Sequence, residues 1–136
     1  MSFFLYICFV TPQKQTIFND FKKGKFGNCV QSCVASLFDL PLSQVPHFVT
    51  YGNEMMCVLR DFCDSHGYKF SGIKKNPNEC DLKFEGVNGF YIIGGKSPRN
   101  KYGHAVIYKD GMPFFDVHPD NTFTRTIENL YLITRR

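Results

Sequence analysis

The sequence contains no tryptophan and no long hydrophobic run, and the second absence limits where the protein can reside. Its most apolar opening stretch, residues 3–10, spans eight residues, whereas a membrane-spanning helix needs about 20. No basic segment precedes this stretch, and no small-residue cleavage pattern follows it, as a secretory signal would require. We therefore predict a buried strand there, a cytoplasmic location and no membrane partner.

Charge of one sign is not concentrated in any long segment either. The formal net charge of +4 comes from short Lys and Arg clusters, and no helix interleaves Arg with aromatic residues. Nucleic-acid binding is therefore not favoured. A charged fraction of 21% and a hydrophobic fraction of 43% exclude a disordered chain. The length of 136 residues fits one domain, residues 1–136.

The cysteine spacing lacks the patterns of a metal or disulfide framework. Six cysteines occur, none in a Cys-x-x-Cys pair, and no secretory signal accompanies them, so we predict free thiols in a reducing compartment. A metal site built from Cys29, Cys33, His104 and His118 is an alternative, but it lacks the usual ligand spacing. We predict neither a metal nor an organic cofactor.

What the sequence does contain begins with a predicted helix at Cys29. Gly27 marks a turn, Asn28 is a candidate N-cap, and apolar residues then recur at helical spacing. The helix should end near Leu40, because Pro41 disfavours helical geometry in the residue before it.

A second helix is predicted at residues 53–66, with Gly67 as its C-terminal stop. The remainder has the pattern of strands and turns. Helices followed by an antiparallel sheet predict an α+β fold with the N-terminal helices packed on the sheet. The predicted strands are residues 68–73, 89–93, 103–108, 112–118 and 130–134.

Cys29 at a helix start is a candidate nucleophile. Unpaired amide groups and the helix dipole at that end stabilise a thiolate, the reactive form of cysteine. A strand about 75 residues later supplies His104 as a candidate base. The Cys29 amide and one side-chain amide from Gln15, Gln13 or Asn28 would form the oxyanion hole.

A hairpin predicts the partner of this histidine. With a three-residue loop at residues 109–111, His104 lies directly opposite Asp116. A two-residue loop would place Val117 opposite instead. We favour the longer loop because glycine in its last position adopts a positive φ without strain. Asp116 would then orient His104, and the alternative partner of Cys29 is His118.

Arg99 is a candidate substrate-binding residue, because arginine binds carboxylates or phosphates in a bidentate manner. It lies in a Ser-Pro-Arg segment just before the His104 strand, where a simple surface turn is an equally good interpretation. Asn28 and His118 complete the set of candidate substrate contacts.

Several short motifs occur along the chain: Gln15-Thr16, Gly27-Asn28-Cys29, Ala35-Ser36-Leu37, Leu40-Pro41-Leu42, Val45-Pro46-His47-Phe48, Ser97-Pro98-Arg99, Gly103-His104-Ala105-Val106 and Asp116-Val117-His118-Pro119. Together they resemble those of small bacteriophage proteins related to papain-like cysteine peptidases, such as the bacteriocin-processing peptidases and the NlpC/P60 group. The resemblance implies a papain-like fold, a Cys29, His104 and Asp116 triad, Gln15 as the oxyanion glutamine, and an infected bacterial cytoplasm as location.

The predicted function is hydrolysis of a peptide, amide or isopeptide bond through a covalent thioester on Cys29. The substrate would be a peptide or another acyl amide, including one within a host protein. Two alternatives stay open. One is a phage accessory protein that uses the cleft to bind a host protein or small molecule without turnover, and the other is acyl transfer to an amine.

Overall fold

Two α-helices are followed by a five-stranded antiparallel sheet in the part of the chain that the structure describes, in agreement with the predicted α+β class. This computed structural model describes residue 7, residues 9–83 and residues 86–136. The strand predicted at residues 3–10 lies mainly outside them. Of that stretch, Ile7 is buried and forms an isolated β-bridge with Phe90.

The first helix, α1, spans Cys29–Phe38 and begins at the predicted residue. It ends at Phe38, two residues before the predicted limit, and is followed by Asp39, whose φ of 54° lies in the left-handed region. This conformation turns the chain out of the helix ahead of Pro41. The apolar side chains that α1 buries include Val30, Cys33, Val34 and Leu37.

The second helix, α2, spans Met55–Ser65, and Gly67 with a φ of 79° follows it. The predicted start at Asn53 is wrong. Asn53 belongs to a 3₁₀ segment, Phe48–Glu54, whose geometry is broken at Gly52 with φ 58° and ψ −125°. Glycine adopts that backbone conformation readily, so the regular α-helix begins only after it.

The strands pair in the order β1-β5-β2-β3-β4, and every pairing is antiparallel. The β5 strand therefore lies between two strands that precede it in the chain. The strands are β1 (Tyr68–Lys74), β2 (Phe90–Lys96), β3 (Gly103–Lys109), β4 (Met112–Phe115) and β5 (Asn129–Arg135).

The β3–β4 hairpin corrects the predicted register. Its loop has two residues, Asp110 and Gly111, with φ of 50° and 87°, and Lys109 pairs with Met112. Two successive positive φ values are typical of a type I′ turn, whose twist matches that of the flanking strands. The prediction of a three-residue loop is therefore wrong.

A β-bulge changes the pairing again further along the hairpin. The register shifts between Ile107 and Tyr108, so that Ile107 lies opposite Phe115. The observed register is then two residues away from the predicted one. A shift of two residues keeps each side chain on its predicted face, so Asp116 reaches His104 as a diagonal neighbour.

Apolar side chains fill both faces of the sheet. On one face, α1 packs on β2 and β3, and α2 packs on β1. The other face is covered by loops, where a smaller apolar cluster lies. The sheet is thus buried on two sides, and the end of β3 where His104 lies is held against the start of α1. The smaller cluster contains Leu82, Tyr91, Ile93, Val106, Tyr108 and Leu130.

Candidate active site

Cys29 is the first residue of α1, and its side chain is half-buried. The first amide groups of a helix have no intrahelical partner and carry the positive end of the helix dipole. Cys29 and the His104 ring line the same two cavities, and the interaction with Cys29 helps to raise the pKa of His104.

The Asn28 side chain fastens the start of α1 to the segment that precedes it. Asn28 is 1% exposed, and its Oδ1 accepts hydrogen bonds from the amides of Thr16 (3.0 Å) and Ile17 (2.9 Å). Its Nδ2 donates to Thr16 Oγ1 and to Gln31 Oε1, both at 3.1 Å. The hydrogen bonds of the Asn28 amide group are thus all made to residues of this chain.

This network corrects the expectation that the Asn28 side chain caps α1. Its side chain makes no capping hydrogen bond to the described helix, although the Asn28 carbonyl accepts from the Ser32 amide at 3.0 Å. Because both ends of its amide are engaged and the residue is buried, the structure uses Asn28 to position Cys29 and leaves it no free group for a substrate or oxyanion.

Gln15 lies beside the two candidate catalytic residues. Its backbone amide donates to Val117 O at 2.9 Å, and its side-chain Nε2 donates to Ile17 O at 2.9 Å. Gln15 is 8% exposed and lines a cavity together with Cys29 and His104. A carboxamide nitrogen carries two N–H groups, so one stays available for a substrate oxygen.

Gln13, the second candidate for the oxyanion hole, has a different position. Its Nε2 donates to the carbonyls of Ala35 (3.2 Å) and Leu40 (2.8 Å). Ala35 lies in the last turn of α1, and Leu40 follows the helix. Gln13 therefore closes the far end of the helix, one helix length from Cys29.

The predicted contact between His104 and Asp116 is confirmed. His104 Nε2 lies 2.7 Å from Asp116 Oδ1, and both side chains are buried. The carboxylate also accepts the amide of His118 on Oδ1 (2.9 Å) and that of Phe123 on Oδ2 (2.8 Å). The loop presents the second amide by holding Phe123 at a φ of 62°. Both carboxylate oxygens are therefore fixed.

These contacts set the charges of the pair. Burial lowers the pKa of His104, but hydrogen bonds to Asp116 and Cys29 and their negative charges outweigh it and raise the pKa to about 9. Burial raises the pKa of Asp116, but the hydrogen bonds from His104 and two backbone amides outweigh it and lower the pKa. At neutral pH the two residues form an imidazolium–carboxylate pair.

His118 and Arg99 lie next to this pair without joining it. The His118 ring meets the His104 ring edge-on, with 6.1 Å between centroids, and Cys29 influences the pKa of His104 but is not among the groups that shift the pKa of His118. Burial and the charge of Arg99 lower the pKa of His118. Arg99 Nη1 contacts both oxygens of Asp120, at 2.9 and 3.0 Å. The partner of Cys29 is thus His104, and not His118, which was the alternative partner considered from the sequence.

Two cavities meet at Cys29 and His104. The larger, which we term the apolar cavity, has a volume of about 350 Å³. The smaller, the polar cavity, measures about 160 Å³. The apolar cavity is lined by Asn19, Phe26, Cys29, Val30, Val49, Met55, Gly94, Gly95, Tyr102, Gly103, His104, Ala105, Asn129 and Tyr131. The polar cavity is lined by Gln15, Phe18, Asn19, Gly27, Cys29, Ser97, Arg99, Asn100, Gly103, His104 and His118.

Lys14 is a site residue that sequence analysis missed. Its Nζ donates to the carbonyls of Asp116 (2.7 Å) and His118 (3.1 Å) and to Asn121 Oδ1 (2.7 Å). It thereby ties the loop after β4 to the segment that carries Gln15. A single lysine between two glutamines has no local pattern that reveals such a long-range role, since its partners lie more than 100 residues away.

The described residues hold neither a cluster of metal ligands nor a membrane-spanning helix. Across residues 7, 9–83 and 86–136, no group of three His, Cys, Asp or Glu side chains converges as metal ligands. Over the same residues, no helix has the length and apolarity needed to cross a membrane. The five cysteines described there are all free thiols.

Comparison with known proteins adds no relative. No protein-family model, no curated protein and no solved structure matches this chain. The resemblance to papain-like peptidases and to bacteriophage proteins therefore stays a prediction from sequence motifs. The function has to be argued from the geometry of the site itself.

Proposed function

We propose that this protein is a papain-like cysteine hydrolase that cleaves amide, peptide or isopeptide bonds through a thioester on Cys29. The observation that carries the proposal is the position of His104, whose ring lies with Cys29 where the two cavities meet and hydrogen-bonds the fixed carboxylate of Asp116. A nucleophile, a base and a group that orients the base are the three parts of a catalytic triad.

In the proposed acylation step, the Cys29 thiolate attacks the carbonyl carbon of the substrate and forms a carbon–sulfur bond. The carbonyl π electrons move to oxygen, and the Cys29 amide and the free N–H of Gln15 stabilise that oxyanion. When the oxyanion collapses, the carbon–nitrogen bond breaks, and protonated His104 donates its proton to the leaving amine. A thioester and neutral His104 remain.

In the proposed second step, water hydrolyses the thioester. Neutral His104 accepts a proton from the attacking water, and the carbon–sulfur bond breaks to release a carboxylic acid and the Cys29 thiolate. The His104–Asp116 pair returns to its charged state. The ring is held in one orientation throughout, because Asp116 is itself fixed by two backbone amides.

The proposed substrate is a peptide or acyl amide, including one within a host protein, in the cytoplasm of a phage-infected bacterium. Arg99 and His118 line the polar cavity and would contact the substrate there. His104 and the attacking water supply the protons of this cycle, and the proposed mechanism uses no cofactor.

The experiment is incubation of the protein with peptides from a bacterial proteome, with mass spectrometry of the new termini. We expect cleavage that falls by at least about 10³-fold in Cys29→Ala and in His104→Ala. Hydroxylamine should convert the thioester to a hydroxamate, which gives a second readout. Cys57→Ala, which removes an exposed cysteine, is the matched control and should keep activity. Cleavage that survives in Cys29→Ala would rule out the proposal.

A further inference from the structure

Two neighbouring glycines in β2, Gly94 and Gly95, differ in the space that a side chain would have. A Cβ at Gly95 would lie 1.9 Å from the carbonyl oxygen of Thr126, so the close approach of that backbone requires glycine. A Cβ at Gly94 would meet Asn129 and Tyr131 at 3.5 Å, an ordinary van der Waals contact, and Gly94 does not have a positive φ. Neither packing nor backbone conformation requires glycine at position 94.

The missing side chain at Gly94 instead leaves space in the apolar cavity. Gly94 lines that cavity and pairs with Ala105 of β3, which lines it too. Two small residues side by side on a sheet leave space that larger side chains would fill. A glycine within a strand often marks a place where a ligand comes close. The volume of about 350 Å³ falls within the range of about 300–1,000 Å³ that is typical of small-molecule sites.

The lining of this cavity indicates what it can bind. Apart from the Cys29 and His104 pair, none of its lining residues carries a formal charge at neutral pH. Phe26, Val49 and Met55 supply apolar surface. Burial and the charge of Cys29 raise the pKa of the Tyr131 hydroxyl, which therefore also stays neutral. Away from the Cys29 and His104 end of the cavity, a charged ligand group would lose its hydration without gaining a partner of opposite charge.

We infer that the apolar cavity is the specificity pocket of the enzyme, that it takes a bulky, uncharged and mainly apolar group of the substrate, and that Gly94 sets its depth. This inference rests on the proposed function, because it assumes that the substrate reacts at Cys29. The cationic polar cavity on the other side of Cys29, which contains Arg99, receives a different part of the substrate.

The test uses chloroacetamides, which report on the pocket without a known substrate. The Cys29 thiolate displaces chloride and forms a thioether, and peptide mass spectrometry gives the rate at each cysteine. We expect N-benzyl-2-chloroacetamide to react with Cys29 about tenfold faster than unsubstituted 2-chloroacetamide, since filling an apolar pocket contributes about this factor. N-(4-carboxybenzyl)-2-chloroacetamide, which has the same ring and a negative charge, should show no such preference.

Variants at Gly94 test whether the preference for the benzyl probe arises in the apolar cavity. Gly94→Val should bring the ratio of benzyl to unsubstituted rates close to one, and Gly94→Ala, which adds a single methyl group, should reduce it in part. Gly72→Val is the matched control: it is also a strand glycine, its Cβ would meet Met56 and Phe70 at ordinary distances, and it does not line the cavity. It should retain the full ratio. Thermal unfolding of each variant shows that it is folded.

The outcomes separate the inference from the proposed function. If 2-chloroacetamide labels Cys29 no faster than the exposed Cys57, the proposed function fails. If Cys29 reacts fast but the benzyl probe has no advantage, or its advantage survives in folded Gly94→Val, the pocket assignment is overturned while the function stands.

Discussion

Two cysteines on one helix, a single turn apart, have opposite environments. Cys29 begins α1, is half-buried and lines both cavities together with His104. Cys33 is fully buried, and burial followed by the charges of Cys29 and Asp116 raises its pKa well above the ordinary value. Asp116 thus hydrogen-bonds the histidine beside Cys29 but disfavours a negative charge on Cys33. Reactivity here depends on position along the helix.

The largest expected effect on the difference in reactivity between Cys29 and Cys33 comes from removing His104. We expect iodoacetamide at pH about 6 to label Cys29 rapidly in the wild type, and His104→Ala to slow that reaction about 100-fold. The reason is that a thiol without a cationic partner is about 1% ionised or less at that pH. Cys33 should stay unlabelled in both proteins. Peptide mass spectrometry gives the rate at each site.

The control for this labelling is His66→Ala, which removes an exposed histidine that contacts Phe62 and lies outside both cavities. It should leave the Cys29 rate unchanged. An unchanged Cys29 rate in folded His104→Ala would show that the helix start alone activates the thiol, and would remove His104 from the proposed mechanism.

The next prediction concerns the free energy of unfolding. It depends on the charged pair of His104 and Asp116 near Cys29, and not on the neutral packing around Cys33. The pKa of His104 is about 9 in the folded protein and about 6.5 when unfolded. The folded state therefore holds the proton more tightly, and this stabilisation is complete below pH about 6.5 and is lost as the pH rises through about 9. It amounts to about 3 kcal/mol.

The measurement is the free energy of unfolding in urea at pH 6 to 10, for the wild type and for His104→Gln. We expect the wild type to lose about 3 kcal/mol more than the variant over this range. Other groups titrate in both proteins, so the difference isolates His104. Parallel pH profiles would mean that the Asp116 pair contributes nothing to folding.

The smallest expected effect comes from Lys14, which orders the loop around Asp116 and does not contact Cys33. Lys14→Met removes the three hydrogen bonds of the ammonium and keeps an apolar chain beside Phe115, over which Nζ lies at 4.8 Å. We expect a loss of about 1 kcal/mol in unfolding free energy. Cys29 labelling should slow a few-fold while Cys33 stays protected.

Lys69→Met is the control for Lys14→Met, because it removes an exposed lysine from the opposite edge of the sheet. It should change neither quantity. If Lys14→Met lowers stability but leaves the pH dependence of Cys29 labelling unaltered, then Lys14 has a structural role only and does not position Asp116.

The sequence was sufficient for the helix start at Cys29 and for the face on which Asp116 lies, because both follow from local signals. Gly27 and Pro41 bracket the helix, and side-chain alternation survives a register error of two residues. The predicted register of the β3–β4 hairpin was wrong. Gly111 fits a three-residue loop as well as a two-residue turn followed by a bulge, so this glycine does not distinguish between them.

The supporting contacts of the site were not predictable in the same way. Gln13 and Gln15 are two residues apart and chemically identical, yet one closes the far end of α1 and the other lies beside Cys29. Regular alternation along an extended segment would send both side chains to the same side, so their divergence comes from the irregular backbone of this segment and from long-range packing, which the local sequence does not reveal. Asn28 looked like a local cap because its real partners, Thr16 and Ile17, lie in a distant segment.

The place of β5 in the sheet has a consequence for biosynthesis. β5 follows the other four strands in the chain, yet it pairs between β1 and β2, and Asn129 and Tyr131 on it form one wall of the apolar cavity. During synthesis Cys29 and His104 are therefore translated before the strand that completes the apolar cavity. Under the proposed function, the thiol is made before its pocket, and substrate binding there has to wait for the translation of β5.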